Sequence, residues 1–218
     1  PPFDGRDRFR GRTVHPQHWP EDLDYDDKRI VVIGSGATAV TLIPELARKA
    51  RHVVMLQRSP TYMLSMPDTD AIANFLRWLL PDRLAYRITR WKNITLQRKL
   101  YRLSRTRPHW LRRFLLWRVR KALPDGYDIE THFTPCYQPW DQRLCLVPND
   151  DLFESISNGD ASVVTGTIDT FTEDGIRLQS GEALDADIII TATGLDLLPL
   201  GGMDVEVDGR PVTLAEHL

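Results

Sequence analysis

The sequence is poor in cysteine, and this excludes two classes of protein. Its 218 residues include two cysteines, Cys136 and Cys145. Two are too few for a disulfide framework, and they lack the CxxC or CxxxxC spacing of a redox-active dithiol. A disulfide reductase is therefore excluded, and we expect a cytoplasmic protein. The six histidines show no metal-ligand spacing with acids or cysteines, so we expect no metal site.

Long apolar runs and a strong net charge are also missing. No uninterrupted apolar run is long enough to span a bilayer, and we find no secretory signal. A net charge of −2 gives no field that would attract nucleic acid to the whole chain. No lysine has a tyrosine four residues before it, which argues against a short-chain dehydrogenase with a Tyr-x-x-x-Lys pair.

The strongest signal present is a strand–turn–helix–strand unit at 29–58. A buried strand is predicted at 29–33, a glycine-rich turn follows at once, a helix is predicted at 38–51 and a second strand at 52–57. This order is typical of a unit that binds a dinucleotide.

Each residue type in the turn has a physical function in such a unit. Gly34 permits the tight turn, Gly36 lets the backbone approach the pyrophosphate, and Ala39 allows close helix–strand packing. The phosphates would lie on the free N–H groups of the helix N-terminus. The candidate cofactor-binding residues of the turn are Gly34, Ser35, Gly36, Ala37, Thr38 and Ala39. The alternative is that the glycines only make a tight turn.

The residues that end the second strand indicate which dinucleotide is bound. NAD-binding chains usually place an acid there, whereas this chain has Gln57, Arg58 and Ser59. A guanidinium can bind a 2′-phosphate through charge-assisted hydrogen bonds, and a carboxylate would repel it. We therefore predict NADP(H), with Arg58 and Ser59 as binding residues. In the alternative, Arg58 is a solvated surface charge.

The rest of the chain predicts an α/β fold with a helical insertion. Residues 1–28 and 60–70 have loop composition, and 71–123 has helical spacing broken by Pro81 and Pro108. Short strands are predicted at 144–147, 162–164, 175–178 and 187–190. The predicted fold is a Rossmann-like NADP-binding domain.

The helical segment is strongly basic. Residues 77–121 contain 15 of the 28 Lys and Arg residues and one acid, Asp82, so the segment carries +14 and the rest −16. One interpretation is an inserted subdomain with its arginines in water. The other is a surface for anionic lipid or an acidic partner. No recognised module supports nucleic acid.

Two further motifs carry a family resemblance. Phe9-x-Gly11-x-x-x-His15-x-x-x-Trp19-Pro20 precedes the dinucleotide unit, and Ala192-Thr193-Gly194 follows the last predicted strand. With the glycine turn, these motifs resemble the flavin-dependent Baeyer–Villiger monooxygenases over almost the whole chain. The resemblance implies part of a flavoprotein with two dinucleotide-binding domains.

The resemblance also implies an activity. NADPH would reduce FAD, and a C4a-peroxyflavin would transfer one oxygen atom from O2 to a ketone or a sulfide. Arg143 matches the family's catalytic arginine, His15 the linker histidine, and Ala192, Thr193 and Gly194 the turn that leaves the NADP domain. Gln142 stands where relatives often have a lysine, which leaves phosphate recognition mainly to Arg58 and Ser59.

The family's FAD-binding glycine motif is absent from this chain, so we expect a piece of a longer protein that is inactive alone. The expected organisation is linker (1–28), first NADP-domain part (29–66), helical insertion (67–124), remaining NADP-domain part (125–194) and the start of the return to an FAD domain (195–218). The alternative function is a non-catalytic NADP(H)-binding module or a truncated product.

Overall fold

A computed structural model describes residues 3–195, 201, 203–208 and 210–212, with the side chains of 210 and 211 left out. The described strands are β1 (Arg12–Val14), β2 (Arg29–Ile33), β3 (His52–Gln57), β4 (Tyr62–Met66), β5 (Leu144–Pro148), β6 (Ala161–Thr165), β7 (Ile168–Phe171), β8 (Gly175–Leu178), β9 (Ala183–Asp185), β10 (Ile188–Thr191), β11 (Glu206–Val207) and β12 (Arg210–Pro211). The described α-helices are α1 (Ala37–Ala47), α2 (Ala71–Leu79), α3 (Asp82–Thr106), α4 (Pro108–Ala122), α5 (Ile129–Phe133) and α6 (Asp151–Ser157).

A five-stranded parallel sheet in the order β1-β10-β2-β3-β6 is the centre of the fold. Its strands are almost continuously apolar because both faces are covered. In β2, Ile30 and Val32 pack into one core, and Val31 and Ile33 pack into a second core on the opposite face. The alternation follows from the two-residue period of a strand.

Different elements cover the two faces. On one face, α1 and α6 bury Val40, Ile43, Leu152 and Phe153 against the sheet. On the other, the antiparallel sheet β7-β8-β9 contributes apolar side chains such as Phe171. The result is a three-layer α/β domain with a parallel sheet in the middle.

The helical insertion lies within the connection from β3 to β6. It leaves through β4 and returns through β5, which pairs with β4 in parallel. Between these strands run α2, α3, α4 and α5. A small separate core of Tyr62, Leu111 and Leu115 joins α4 to β4. Breaks at Pro81 and Pro108 between the three longer helices confirm the prediction for 71–123.

The predicted strands are confirmed, whereas two predicted loops and the end of one predicted helix are wrong. Strands at 29–33 and 52–57 lie as predicted, and the four later ones agree to within one residue. The loops predicted at 1–28 and 60–70 are wrong where β1 and β4 form, because each strand is defined by a distant partner. The helix predicted at 38–51 ends at Ala47, since the chain turns to bring the Arg51 N–H onto the Lys28 carbonyl.

The predicted return at 195–218 lies largely outside the described residues. Among those that are described in this range, β11 and β12 form an antiparallel pair. In the part of the chain that the structure describes, no helix is long and apolar enough to cross a membrane. In the same part, both cysteines are free and no cluster of His, Cys, Asp and Glu could hold a metal ion.

Candidate cofactor-binding site

A cavity of about 430 Å³ opens at the carboxyl ends of the central parallel strands. Ligands of open α/β sheets bind at this edge, where the loops leave the strands. The cavity is lined by Phe3, Ile33, Gly34, Ser35, Gly36, Leu56, Arg58, Ser59, Arg143, Gly166, Thr167, Ile168, Ala192, Thr193 and Gly194. Nine predicted site residues from four parts of the chain thus meet around one space.

Gly34 is the residue that the turn geometry requires. Its φ of +134° is rarely adopted by L side chains, and a Cβ there would lie 2.5 Å from the carbonyl oxygen of Ala192. The glycine turn and the Ala192–Gly194 turn therefore approach each other at backbone distance. Gly36 differs, because its φ is −82° and a Cβ would meet only an Arg143 guanidinium nitrogen, at 3.6 Å.

The N-terminus of α1 points its free backbone groups toward this turn. Gly36 is the N-cap and no side chain caps the helix, so the first N–H groups, including those of Ala37, Thr38 and Ala39, lack a side-chain acceptor. An anion can satisfy such groups. Ala39 is fully buried, as close packing of the helix on the sheet requires.

The side chain of Ser35 faces away from the helix N-terminus. Its hydroxyl forms a buried 3.0 Å hydrogen bond with the Thr61 hydroxyl. Its carbonyl lies 3.5 Å from the thiol of Cys145, whose pKa is raised by burial. These contacts tie the turn to β4 and β5, so Ser35 acts on the cavity mainly through its backbone.

Gln57 and Arg58 face opposite sides of the end of β3. The Gln57 amide is buried and donates to the His132 carbonyl at 2.7 Å and the Thr165 hydroxyl at 3.0 Å. The side-chain oxygen Oε1 of Gln57 has no partner among the described residues. Arg58 is exposed, lines the cavity and makes no ion pair with any described residue. The position that carries an acid in NAD-binding chains is thus turned into the core.

Arg143 extends from the segment before β5 to the glycine turn. Arg143 forms no salt bridge with the nearby Asp141, whose partner is Arg105 at 2.9 Å. Arg143 makes no ion pair in the described chain. Its carbonyl accepts a 3.1 Å hydrogen bond from the hydroxyl of Tyr137, whose pKa is raised by burial. Arg143 and Arg58 therefore leave two guanidinium groups free at one cavity.

Sequence reasoning missed the third loop of the cavity. Gly166, Thr167 and Ile168 follow β6, and the Gly166 N–H donates to the Gln57 carbonyl at 2.9 Å. The glycine that ends the apolar strand at 161–165 is the signal that could have indicated them. Phe3 also lines the cavity and stacks on Phe171, with ring centroids 5.3 Å apart, and no motif pointed to it.

His15 does not line the cavity that holds the arginines. It borders a neighbouring cavity of about 330 Å³ with Arg6, His18 and the turn at Thr193 and Gly194. Its Nδ1 accepts from the Gln17 N–H and begins a 3-10 helix at Pro16–His18. Phe3, Thr193 and Gly194 line both cavities, so they lie where the two spaces meet.

The fingerprint segment before His15 is fixed by close packing. A Cβ on Gly11 would lie 2.3 Å from the Asp187 carbonyl and 2.5 Å from the ring of Phe9, which is itself buried. Trp19 is one-third exposed. The spacing of Phe9 and Gly11 is thus explained by contact with the start of β10.

Fold and site together define a dinucleotide-binding α/β domain. The chain belongs to the flavin-binding monooxygenase-like family, whose model matches residues 1–199. It is similar to the FAD-containing monooxygenase EthA of Mycobacterium tuberculosis, with 56% identity over 215 residues, which cover 98% of this chain and 44% of that protein. It is 50% identical over 219 residues to the probable FAD-binding monooxygenase AlmA of Acinetobacter baylyi, covering 100% of this chain and 44% of the relative. The chain thus spans less than half the length of these relatives.

Solved structures share the fold at low sequence identity. An oxidised steroid monooxygenase bound to NADP superposes with a TM-score of 0.71 at 24% identity, over 97% of this chain and 48% of that one. OTEMO in complex with FAD and NADP gives a TM-score of 0.74 at 22% identity, over 100% of this chain and 49% of that one. The predicted Rossmann-like α/β fold is confirmed.

Proposed function

We propose that this chain is the NADP(H)-binding part of an NADPH- and FAD-dependent monooxygenase that transfers one oxygen atom from O2 to a ketone or a sulfide. The observation that carries the proposal is that Gly34, Gly36, Arg58 and Arg143 line one cavity at the end of the parallel sheet. Family membership and the relatives' names, which include FAD and NADP, support the same activity.

The described residues fit NADP(H). The pyrophosphate would lie on the uncapped N-terminus of α1, and Gly36 leaves the space that its approach needs. Arg58 and Ser59 would bind the 2′-phosphate, since Arg58 is at the cavity and has no carboxylate partner among the described residues. When bound, NADPH supplies a hydride.

Arg143 would hold a permanent positive charge beside the glycine turn. A guanidinium stays protonated and donates several hydrogen bonds in a fixed plane, so it can orient the nicotinamide half of the cofactor and stabilise negative charge nearby. The Tyr137 hydroxyl fixes the Arg143 backbone, which limits how far this charge can move from the turn.

The described residues do not fit FAD in the same way. They contain one glycine turn between a strand and a helix, at Gly34–Ala39, and we assign it to NADP(H). We derive no step through FAD from these residues. His15, at the cavity that shares Thr193 and Gly194 with the NADP(H) site, would belong to the linker that connects the two cofactor domains.

The test of the proposal is the cofactor preference of Arg58→Ala. We expect NADPH affinity to fall about 10- to 100-fold, because a charge-assisted hydrogen-bonding partner of the 2′-phosphate is lost, while NADH affinity stays nearly unchanged. Arg51→Ala is the matched control, since Arg51 is an exposed arginine just before the opposite end of β3. Equal losses for both cofactors by calorimetry would count against the assignment.

A second measurement tests the relation between this chain and FAD. We expect the 218-residue chain alone to be isolated without stoichiometric FAD and to oxidise NADPH no faster with ketones or thioethers present. A stoichiometric flavin spectrum in the purified chain would contradict this expectation. Substrate-dependent NADPH consumption by a protein that also carries an FAD motif would support the monooxygenase over a non-catalytic NADP(H)-binding module.

A further inference from the structure

The helical insertion exposes an apolar helix face to solvent in the described part of the chain. In α2, Ile72, Phe75 and Leu79 are spaced along one side, with Trp78 beside them. All four are exposed, Trp78 to 80%, whereas Ala73 is the buried residue of the helix. Phe75 and Trp78 contact each other, with ring centroids 6.0 Å apart. An amphipathic helix normally packs such a face against the core of its own protein. We therefore expect the α2 face to contact a partner outside the described chain.

The adjoining helix α3, which packs on α2, also exposes apolar side chains and adds positive charge. It is 25 residues and roughly 37 Å long, and Ala85 and Ser104 are its buried residues. Leu84 and Trp91 lie opposite these two residues, and Trp91 is 70% exposed. Aromatic and aliphatic side chains therefore reach solvent along both helices.

Most of the charge on α3 is unpaired. Eight of its residues are Lys or Arg. Lys92 pairs with Asp70 and Arg105 with Asp141. The other six form no ion pair in the described part of the chain: Arg83, Arg87, Arg90, Arg98, Lys99 and Arg102. A partner of α2 and α3 must therefore offer both an apolar layer for the exposed apolar side chains and anionic groups for the cations.

We propose that α2 and α3 dock on the surface of an anionic phospholipid membrane. Its acyl layer would take up the α2 face formed by Ile72, Phe75, Trp78 and Leu79, and its head groups would neutralise the α3 cations. Exposed tryptophans suit the boundary between head groups and acyl chains. Since no described helix can span a bilayer, the contact is with one surface of the membrane. This inference does not depend on the proposed function.

The test is binding of the intact protein to two kinds of vesicle. One kind contains phosphatidylcholine with about 30% phosphatidylglycerol, and the other contains phosphatidylcholine alone. We expect flotation with the anionic vesicles, a blue shift of tryptophan fluorescence and weaker binding at high salt. Absence of binding to anionic vesicles at low salt, or equal binding to both kinds, would overturn the proposal.

Paired substitutions then locate the contact. We expect Phe75→Ser with Trp78→Ser to lower the apparent vesicle affinity about tenfold or more, because both rings would no longer enter the interface. Leu146→Ser is the control, since Leu146 is an exposed apolar residue on β5 and belongs to neither α2 nor α3. Equal effects of the two changes would overturn the assignment to α2. NADPH affinity should be unchanged in both variants, which separates this test from that of the cofactor site.

Two results would assign the α2 face to another occupant and overturn the proposal. One is a smaller oligomer in Phe75→Ser/Trp78→Ser by light scattering without vesicles, which would make the face an interface between copies. The other is slow hydrogen exchange at 71–79 before vesicles are added, which would show that the face is already covered within the protein. Slow exchange that appears only with anionic vesicles supports the membrane contact.

Discussion

Replacement of Gly34 by alanine is the sharpest test of how the turn is built. Its φ of +134° is a conformation that L side chains rarely adopt, and strain of this kind costs about 1–3 kcal/mol. The added methyl would lie 2.5 Å from the Ala192 carbonyl oxygen, so the two turns must separate, at a further cost of about 1–3 kcal/mol. Alanine also restricts the unfolded chain, which returns about 0.4–1 kcal/mol.

The balance is a loss of about 1–5.5 kcal/mol in the free energy of unfolding. For a domain of this size, at about 2–4 °C per kcal/mol, that corresponds to a melting temperature lower by roughly 2 to 20 °C. Differential scanning calorimetry without cofactor measures it directly.

Gly36→Ala is the matched control for this prediction. The φ of Gly36 is accessible to alanine, and its methyl would meet only an Arg143 nitrogen at an ordinary 3.6 Å. We expect the free energy of unfolding to change by less than about 0.5 kcal/mol, and NADPH affinity to fall because the methyl occupies the space for the pyrophosphate. If Gly34→Ala had the same melting temperature as Gly36→Ala and the unchanged protein, the contact between the two turns would have no energetic importance.

Three further predictions concern titration and reactivity. Hydrogen bonds from Arg29 hold the pKa of Asp187 below its usual range, so the ionised carboxylate contributes stability that is lost as pH falls below about 4. On acidification from pH 7 to pH 3, the free energy of unfolding should fall by about 1 kcal/mol less in Asp187→Asn than in the unchanged protein, as urea unfolding will show. Burial lowers the pKa of His132, so the folded state resists protonation and the free energy of unfolding should fall as pH drops below about 6.5. His132→Asn should make the free energy of unfolding depend less on pH. An unchanged pH dependence, measured by urea unfolding, would contradict the assignment. Burial raises the pKa of the Cys145 thiol, whereas Cys136 is exposed. Maleimide should therefore label the folded chain at Cys136. Mass spectrometry should show that the label disappears in Cys136→Ser and persists in Cys145→Ser.

The sequence was sufficient to predict the parts of the fold that depend on local signals. The apolar runs at 29–33 and 52–57, the glycine turn and the prolines at 81 and 108 each act on their immediate neighbours, and the structure agrees with them. Among the strands that were missed, two have a distant cause. Arg12–Val14 joins the sheet beside residues 188–190, and Tyr62–Met66 pairs with 144–148, so neither has a periodic pattern of its own.

The same limit applies to the site. The glycine turn and Arg58 follow strands in one local motif, so their meeting at a sheet edge could be predicted. The position of Arg143 could be taken only from the family resemblance, because 76 residues (67–142) separate it from the end of β4. The loop at 166–168 was missed because a single glycine after a strand is a weak signal.

The orientation of Gln57 has a consequence for anyone who wishes to re-engineer the coenzyme choice of this domain. An acid at position 57, as in NADH-dependent proteins, should not produce NADH binding. The Gln57 side-chain amide donates a hydrogen bond to the His132 carbonyl, and Gln57→Glu would place a carboxylate against that carbonyl instead. The useful exchange is one residue later, where the side chain reaches the cavity. A gain of NADH affinity in Gln57→Glu with unchanged melting would refute this design rule.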